Sequence, residues 1–144
     1  MRALCLAFVL IALAVGCQTG SSSMSLKVGD CFNYSEGVDA NGDTVQQIDT
    51  VDCSQPHSDE VFSVFVYPNA SGFPGYEAIG TVQQSQCEAD FAAYVGTTWD
   101  KSSYTINYEA PDEQTWNGGD HTIRCLIEDG SGAQTTGSAH GTAK

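Results

Sequence analysis

The side chains best suited to chemistry stand close together at His57, Asp59 and Glu60. An imidazole beside carboxylates is typical of a general-base or metal site, but a metal needs three or four converging ligands. No H-x-x-x-H or C-x-x-C pattern supplies the others. Asp59 and Glu60 are adjacent, and in a strand they point to opposite faces, which is wrong for an acid–base pair. Pro56 and Cys53 favour a rigid structural turn here, with ligand or partner binding as the alternative.

A second group of candidate residues lies in a glycine-containing segment around Trp116. An indole in such a loop can anchor a partner, although it more often covers the core. The candidate binding residues are therefore His57, Glu60, Trp116 and Asp120. We predict no catalytic residue, because the sequence has no G-x-S-x-G elbow and pairing of the cysteines leaves no free thiol. We likewise predict no metal and no cofactor.

Cys17 follows a segment that is typical of an exported protein. Arg2 precedes thirteen residues without a polar side chain, too few to span a bilayer, which needs about 20. Residues 14–17 (Ala-Val-Gly-Cys) resemble the lipobox of bacterial lipoproteins. The resemblance implies cleavage before Cys17 and a diacylglyceryl group on its thiol. Residues 12–14 (Ala-Leu-Ala) also fit an ordinary signal-peptidase site, whose cleavage would release a soluble secreted protein.

These features divide the chain into four parts. We expect a lipoprotein signal peptide at 1–16, the lipidated cysteine and a flexible polar tether at 17–25, a folded domain at 26–138 and a disordered tail at 139–144. The signal removes Cys5 and the lipid occupies Cys17, so four of the six cysteines remain to pair.

The first cysteine pair follows from a predicted hairpin. Residues 28–34 and 45–51 have the composition of strands, and Asn41-Gly42 between them is a strong signal for a two-residue turn. Counting outward from that turn places Cys31 opposite Asp52. One bulge or a three-residue loop would bring it beside Cys53. We therefore predict a Cys31–Cys53 disulfide.

The second pair follows from the predicted helix at residues 76–95, which Gly96 ends. Its expected apolar face is Ile79, Val82, Cys87, Phe91, Tyr94 and Val95. Further strands are predicted at 60–67, 104–108 and 121–127, and a short edge strand at 134–138. Cys125 lies on the apolar face of its strand and meets Cys87 where the helix covers the sheet. The fold class is α+β, a small antiparallel sheet of about five strands under one long helix, with two disulfides.

The charge of the chain restricts its partners. It has 18 acidic residues against 5 basic ones, a net charge of −13, and loss of Arg2 with the signal makes this −14. Such a chain has almost no cations to displace counterions from phosphates, which excludes nucleic acid and other phosphate-rich polymers. It leaves neutral or cationic partners. The lipid is then the evident attachment to an anionic membrane.

Three spaced motifs carry a resemblance to a known family. They are residues 28–31 (Val-Gly-Asp-Cys), the C-x-x-P-H-x-x-E segment at 53–60 and the P-x4-W-x2-G-D-x4-C segment at 111–125. Over about residues 26–127, the chain is similar to the septum-formation-related domain of actinobacterial membrane proteins and lipoproteins. It departs from that pattern at His121, where arginine is expected. The resemblance implies no defined reaction and an envelope-facing role near growth or division sites.

The sequence therefore predicts a non-enzymatic, lipid-anchored binding or scaffold module on the outer face of the cytoplasmic membrane. Its partners would be the membrane, through Cys17, and an envelope or division protein, but not nucleic acid. The alternative in function is a small envelope hydrolase or metal-dependent enzyme that uses His57 and Glu60. The alternative in location is secretion.

Overall fold

A five-stranded antiparallel sheet forms the centre of the computed structural model, which describes residues 25–68 and 71–144. The signal segment, Cys17 and the tether up to residue 24 lie outside the described residues. The strand order is β2-β1-β3-β5-β4. The elements are β1 (Cys31–Val38), β2 (Thr44–Val51), β3 (Asp59–Val66), α1 (Tyr76–Val95), a 3-10 turn (Trp99–Lys101), β4 (Tyr104–Glu109), α2 (Glu113–Asn117) and β5 (Thr122–Asp129). The predicted α+β class is confirmed.

The β1–β2 hairpin has a three-residue loop in place of the simple two-residue turn, and such a loop is one of the two alternatives that the sequence left open. Val38 lies opposite Thr44, and the Asp39 N–H donates to the Asp43 carbonyl. The Asp39 carboxylate accepts hydrogen bonds from two backbone N–H groups of the loop, and Gly42 supplies its left-handed residue, with φ 89°. These bonds lower the pKa of Asp39. The hydrogen bonds to the Asp39 carboxylate hold the loop at three residues, and this loop places Val38 opposite Thr44.

The predicted Cys31–Cys53 disulfide is confirmed, with the two Cα atoms 5.2 Å apart. Cys31 lies opposite Val51 in the hairpin. The three-residue loop therefore moves Cys31 one position away from Cys53, opposite to the expected direction. The turn after β2 carries Cys53, two residues beyond Val51, back to Cys31.

Helix α1 has the predicted bounds, and Gly96 ends it in the left-handed conformation, with φ 94°. The buried positions follow a strict spacing of four and are Ile79, Gln83, Cys87, Phe91 and Val95. Gln83 is therefore buried where Val82 was expected. The predicted Cys87–Cys125 disulfide is confirmed and joins the buried face of α1 to β5.

The two faces of the sheet differ in their cover. Phe62 and Phe91 pack around the Cys87–Cys125 bridge on the face beneath α1. The opposite face, here called the open face, carries a smaller apolar cluster of Leu26, Phe32, Ile48, Val61 and Leu126. Within the described ranges, no helix combines the length and the apolar character needed to cross a bilayer.

The last six residues pack against the end of α1, which differs from the expected disorder. Ala139 is buried, the Gly141 N–H donates to the Tyr94 carbonyl, and the Ala143 N–H donates to the Val95 carbonyl. The expected edge strand at 134–138 is reduced to a single antiparallel bridge between His57 and Thr135. The tail thus satisfies carbonyls at a helix end that would otherwise lack partners.

Candidate functional site

His57 is buried in the turn before β3 and holds the C-terminal segment in place. Its ring Nδ1 donates to the Gln55 carbonyl at 2.8 Å, and Nε2 lies 3.3 Å from the Thr135 hydroxyl. The backbones of His57 and Thr135 also exchange two hydrogen bonds. Both ring nitrogens are therefore occupied by contacts within the protein.

Glu60 is also buried, on the face beneath α1, and its carboxylate accepts three hydrogen bonds. Oε1 accepts from the Tyr94 hydroxyl at 2.6 Å and from the Ser138 hydroxyl, while Oε2 accepts from the Ala139 N–H at 2.6 Å. Burial and the neighbouring carboxylate raise the pKa of Tyr94. The carboxylate thus ties α1 and the tail to β3.

The two residues named for an enzyme site are not joined to each other, because each is bonded to a different part of the fold. A ligand-like grouping within the described residues consists of Cys31, Cys53 and Glu60, whose possible ligand atoms lie within 4.8 Å of one another. Its two sulfurs are bonded to each other, so neither is the thiolate that a metal requires. The geometry around His57 and Glu60 is that of a structural support.

Trp116 is buried and belongs to the core. Its ring packs edge-to-face against Tyr67 and Phe73, and it lies 4.3 Å from the ring of His121. His121 Nε2 is 3.1 Å from the Trp116 carbonyl, so the residue that replaces the expected arginine closes this cluster. Asp120 accepts a hydrogen bond from the Thr122 N–H and so fixes the start of β5.

A cleft of about 600 Å³ opens on the open face of the sheet, and we call it the acidic cleft. It is lined by Asn33, Tyr34, Ser58, Asp59, Ile106, Asn107, Tyr108, Leu126, Glu128 and Gln134. No lysine or arginine is among these lining residues. The two carboxylates, Asp59 and Glu128, face each other directly across β3 and β5. Like charges at opposed strand positions repel, so the pair favours a cation between them.

One side-chain hydrogen bond spans the open face of the sheet. Tyr34 on β1 donates a hydrogen bond of 3.1 Å to Glu109 on β4, although β3 and β5 lie between these strands. Three strand spacings amount to about 14 Å, so the two long side chains reach towards each other over the open face. Arg124, buried on the same face of β5, lies opposite Glu109 in the register.

The electrostatics of the acidic cleft are those of crowded acids. Burial first, and then the charges of Glu128 and Glu109, raise the pKa of Asp59, against the effect of a hydrogen bond from Ser58. Burial, followed by Glu109 and Asp59, raises the pKa of Tyr34. Such shifts mark groups that the fold leaves short of compensating charge, which is a property of many binding sites.

A second cleft lies on the other side of β4, against α1, and we call it the aromatic cleft. Its volume is about 240 Å³, and it is lined by Gln84, Glu88, Trp99, Ile106 and Tyr108. Trp99 is 43% exposed and Tyr108 49% exposed. Ile106 and Tyr108 line both clefts, so β4 separates them.

The sequence reasoning missed both clefts, since their residues come from separate strands and a 3-10 turn. One signal was present, because the predicted alternation placed Asp59 on the face opposite Glu60. That prediction is confirmed, with Asp59 opposite Glu128 and Glu60 bonded to Tyr94 of α1.

A sequence model of the family described as Septum formation matches residues 28–144. The chain belongs to the Septum formation family. The resemblance drawn from the cysteine, Pro-His and Trp-Gly-Asp motifs is confirmed, and the matched span includes the packed tail.

Two mycobacterial relatives, from Mycobacterium tuberculosis and Mycobacterium bovis, are both named "Putative lipoprotein LppN". Each is 33% identical to this chain over 119 residues. The alignment covers 81% of this chain and 63% of each relative, so the chain spans less than two thirds of their length. No solved structure matches the chain.

Proposed function

We propose that the chain is a lipid-anchored binding or scaffold module on the outer face of the cytoplasmic membrane, held there by a diacylglyceryl group on Cys17. The observation that carries this proposal is the lipobox-like segment at 14–17 in a chain whose relatives are named as lipoproteins. Two acyl chains are about the number that stable membrane attachment requires.

The two disulfides support an extracytoplasmic location. Disulfides form and persist in oxidising compartments, and they are rare in the reducing cytosol. Both bridges here join separate elements, one linking β1 to the turn after β2 and the other linking α1 to β5. A chain that depends on them is suited to the envelope.

Binding is favoured over catalysis by the contacts of the candidate residues. His57 and Glu60 are bonded within the fold, whereas the acidic and aromatic clefts present side chains to solvent. The hydrolase alternative has no observation in its favour. We further propose that the partner belongs to the envelope or division apparatus, a role for which the family description is the support.

The test of anchoring compares the natural chain with a Cys17→Ser variant in intact cells, with Ser22→Ala in the tether as matched control. We expect the natural chain and the control in the membrane fraction, with an N-terminal cysteine whose mass includes the diacylglyceryl group. The variant should leave that fraction. A free thiol on Cys17, or a mature chain that begins at residue 15, would contradict the proposal in favour of secretion.

The septal role is tested by crosslinking in intact dividing cells, followed by capture of the chain. The natural chain should enrich proteins of the division site, and the mislocalised Cys17→Ser variant should not. Equal recovery of division proteins with both chains would contradict a role at the septum.

A further inference from the structure

The structure points to strand β4 as the docking site of an extended, lysine- or arginine-bearing peptide segment of a partner protein. We infer that the segment adds a sixth strand to the sheet and places alternate side chains in the acidic and aromatic clefts. This inference rests on the proposed function as a binding module and specifies its partner by chemistry.

The free edge of β4 supplies the first observation. In the part of the chain that the structure describes, β4 pairs with β5 and with no other strand. Four of its six residues, Tyr104, Thr105, Ile106 and Tyr108, are strand formers. The strand has no proline, lysine or bulge of the kind that usually protects an exposed edge. An edge of this kind is a template for another strand.

The position of the two clefts supplies the second observation. Ile106 and Tyr108 lie opposite Ile127 and Cys125, which places them on the face beneath α1, whereas Asn107 lies on the open face. One cleft therefore flanks β4 on each face. Successive side chains of an added strand point to opposite faces, so they would enter the two clefts in turn.

Charge complementarity supplies the third observation and sets the chemistry of the partner. On the open face, the acidic cleft offers Glu128, which lies on β5 directly beside β4, and the aromatic cleft offers Glu88 beside Trp99. A lysine or arginine side chain has an aliphatic stem that packs on an indole and a cationic head that a carboxylate accepts. Neither cleft has a basic lining residue to oppose it.

The other edge strand, β2, lacks this combination. It has no aromatic residue, and the cleft beside it is lined by residues of the β1–β2 hairpin alone. Binding at β2 would therefore contradict the inference, even if an extended peptide were the ligand.

The test uses the mature lipidated protein extracted from membranes in detergent and a short synthetic peptide of valines around two adjacent lysines, which in a strand point to opposite faces and so to the two clefts. Two matched peptides separate the contribution of charge from that of backbone hydrogen bonds. One has glutamate in place of lysine, and the other has every backbone nitrogen methylated, so that it keeps its charge but donates to no strand. We expect the lysine–valine peptide to bind and both matched peptides to fail. Equal binding of the methylated peptide would overturn strand addition, since it would show attraction between opposite charges only.

Variants then locate the site. Trp99→Ala should weaken binding of the lysine peptide about tenfold, as loss of an aromatic anchor does. Glu88→Gln should weaken it about threefold, as loss of a partly exposed ion pair does. Their controls are Tyr76→Ala, an exposed aromatic residue outside both clefts, and Glu77→Gln, on the same helix but outside them. Unchanged affinity in Trp99→Ala and Glu88→Gln would overturn the assignment.

Two further readouts keep the outcomes apart. Sedimentation of the protein without peptide shows whether β4 already pairs with a second copy of the chain. A dimer that the Trp99→Ala substitution dissociates would overturn the inference, because the occupant of β4 would be another copy and not a partner protein. Peptide binding by the Cys17→Ser variant measures the docking site without the lipid, and we expect the same affinity as for the lipidated chain. Failure of the anchor alone would therefore leave peptide binding intact, and failure of the docking site alone would leave the chain in the membrane.

Discussion

Asp59 and Glu60 are neighbours in sequence, yet they lie in opposite environments on the two faces of β3. Glu60 accepts three hydrogen bonds from α1 and the tail, and it belongs to the face that is covered and crosslinked. Asp59 lies in a cleft opposite Glu128, and burial and neighbouring acids raise its pKa. Glu60 is thus bonded into the fold, whereas at Asp59 burial and the neighbouring acids outweigh the hydrogen bond of Ser58 and the attraction of His57.

This difference between Asp59 and Glu60 separates charges that support the fold from charges that a ligand could contact. A buried charge that the protein itself satisfies contributes to stability and specificity of the fold. A charge that the protein desolvates without satisfying it raises the free energy of the folded state, and a ligand can relieve that cost. We therefore assign the structural support to the covered face, and we propose the open face and the β4 edge as the surfaces for binding.

The largest expected effect comes from removing the bridge of the covered face. Replacing Cys87 and Cys125 together by alanine opens a loop of 38 residues and should lower the free energy of unfolding by about 4 kcal/mol. Urea denaturation of the oxidised proteins measures this. A loss below about 1 kcal/mol would mean that the covered face is not the structural support we describe.

A smaller loss is expected from Glu60→Gln. The substitution replaces one acceptor oxygen by an amide donor among three donors, which should cost about 2 to 3 kcal/mol at neutral pH. Glu36→Gln, at an exposed position on β1, is the matched control and should change stability by less than about 0.5 kcal/mol. If the two variants behaved alike in denaturation, the three hydrogen bonds to Glu60 would not be a structural support.

Asp59→Asn should have the smallest effect and the opposite sign. A carboxyl group whose pKa is higher in the folded than in the unfolded chain destabilises the fold once pH exceeds the folded pKa, and this penalty vanishes below the unfolded pKa. The variant lacks the penalty, so it should be the more stable protein at neutral pH.

The advantage of Asp59→Asn should shrink as pH falls towards the acidic range of an ordinary aspartate. Denaturation midpoints of both proteins across this pH range measure the trend. A variant that is less stable than the natural chain at neutral pH would show that Asp59 is satisfied like Glu60, and the comparison would fail.

The local parts of the fold could be predicted from the sequence because their signals are local. The period of apolar residues and Gly96 gave both ends of α1, and the strand containing Cys125 gave its bridge to Cys87. The exchange of Val82 for Gln83 in the buried face shows the limit. Residue type favoured valine, whereas the spacing of four along the buried face of α1 selects glutamine.

The long-range parts could not be predicted, since they depend on how distant segments meet. The tail has no apolar period, and the hydrogen bonds that hold it go to Glu60, Tyr94 and Val95, which are distant in sequence. The hydrogen bond between Tyr34 and Glu109 joins β1 to β4, which are three positions apart in the strand order. His57 and Trp116 were chosen as candidates for their reactive or aromatic side chains. In the fold, His57 is hydrogen-bonded to the Gln55 carbonyl and Trp116 packs against Tyr67.

The most direct test of the division between support and binding surface is amide hydrogen exchange of the mature protein with and without the lysine–valine peptide. The account predicts that the peptide slows exchange within Tyr104–Glu109 and leaves Thr44–Val51 and residues 138–143 unchanged. Protection that appears on β2 or on the tail, with none on β4, would contradict it.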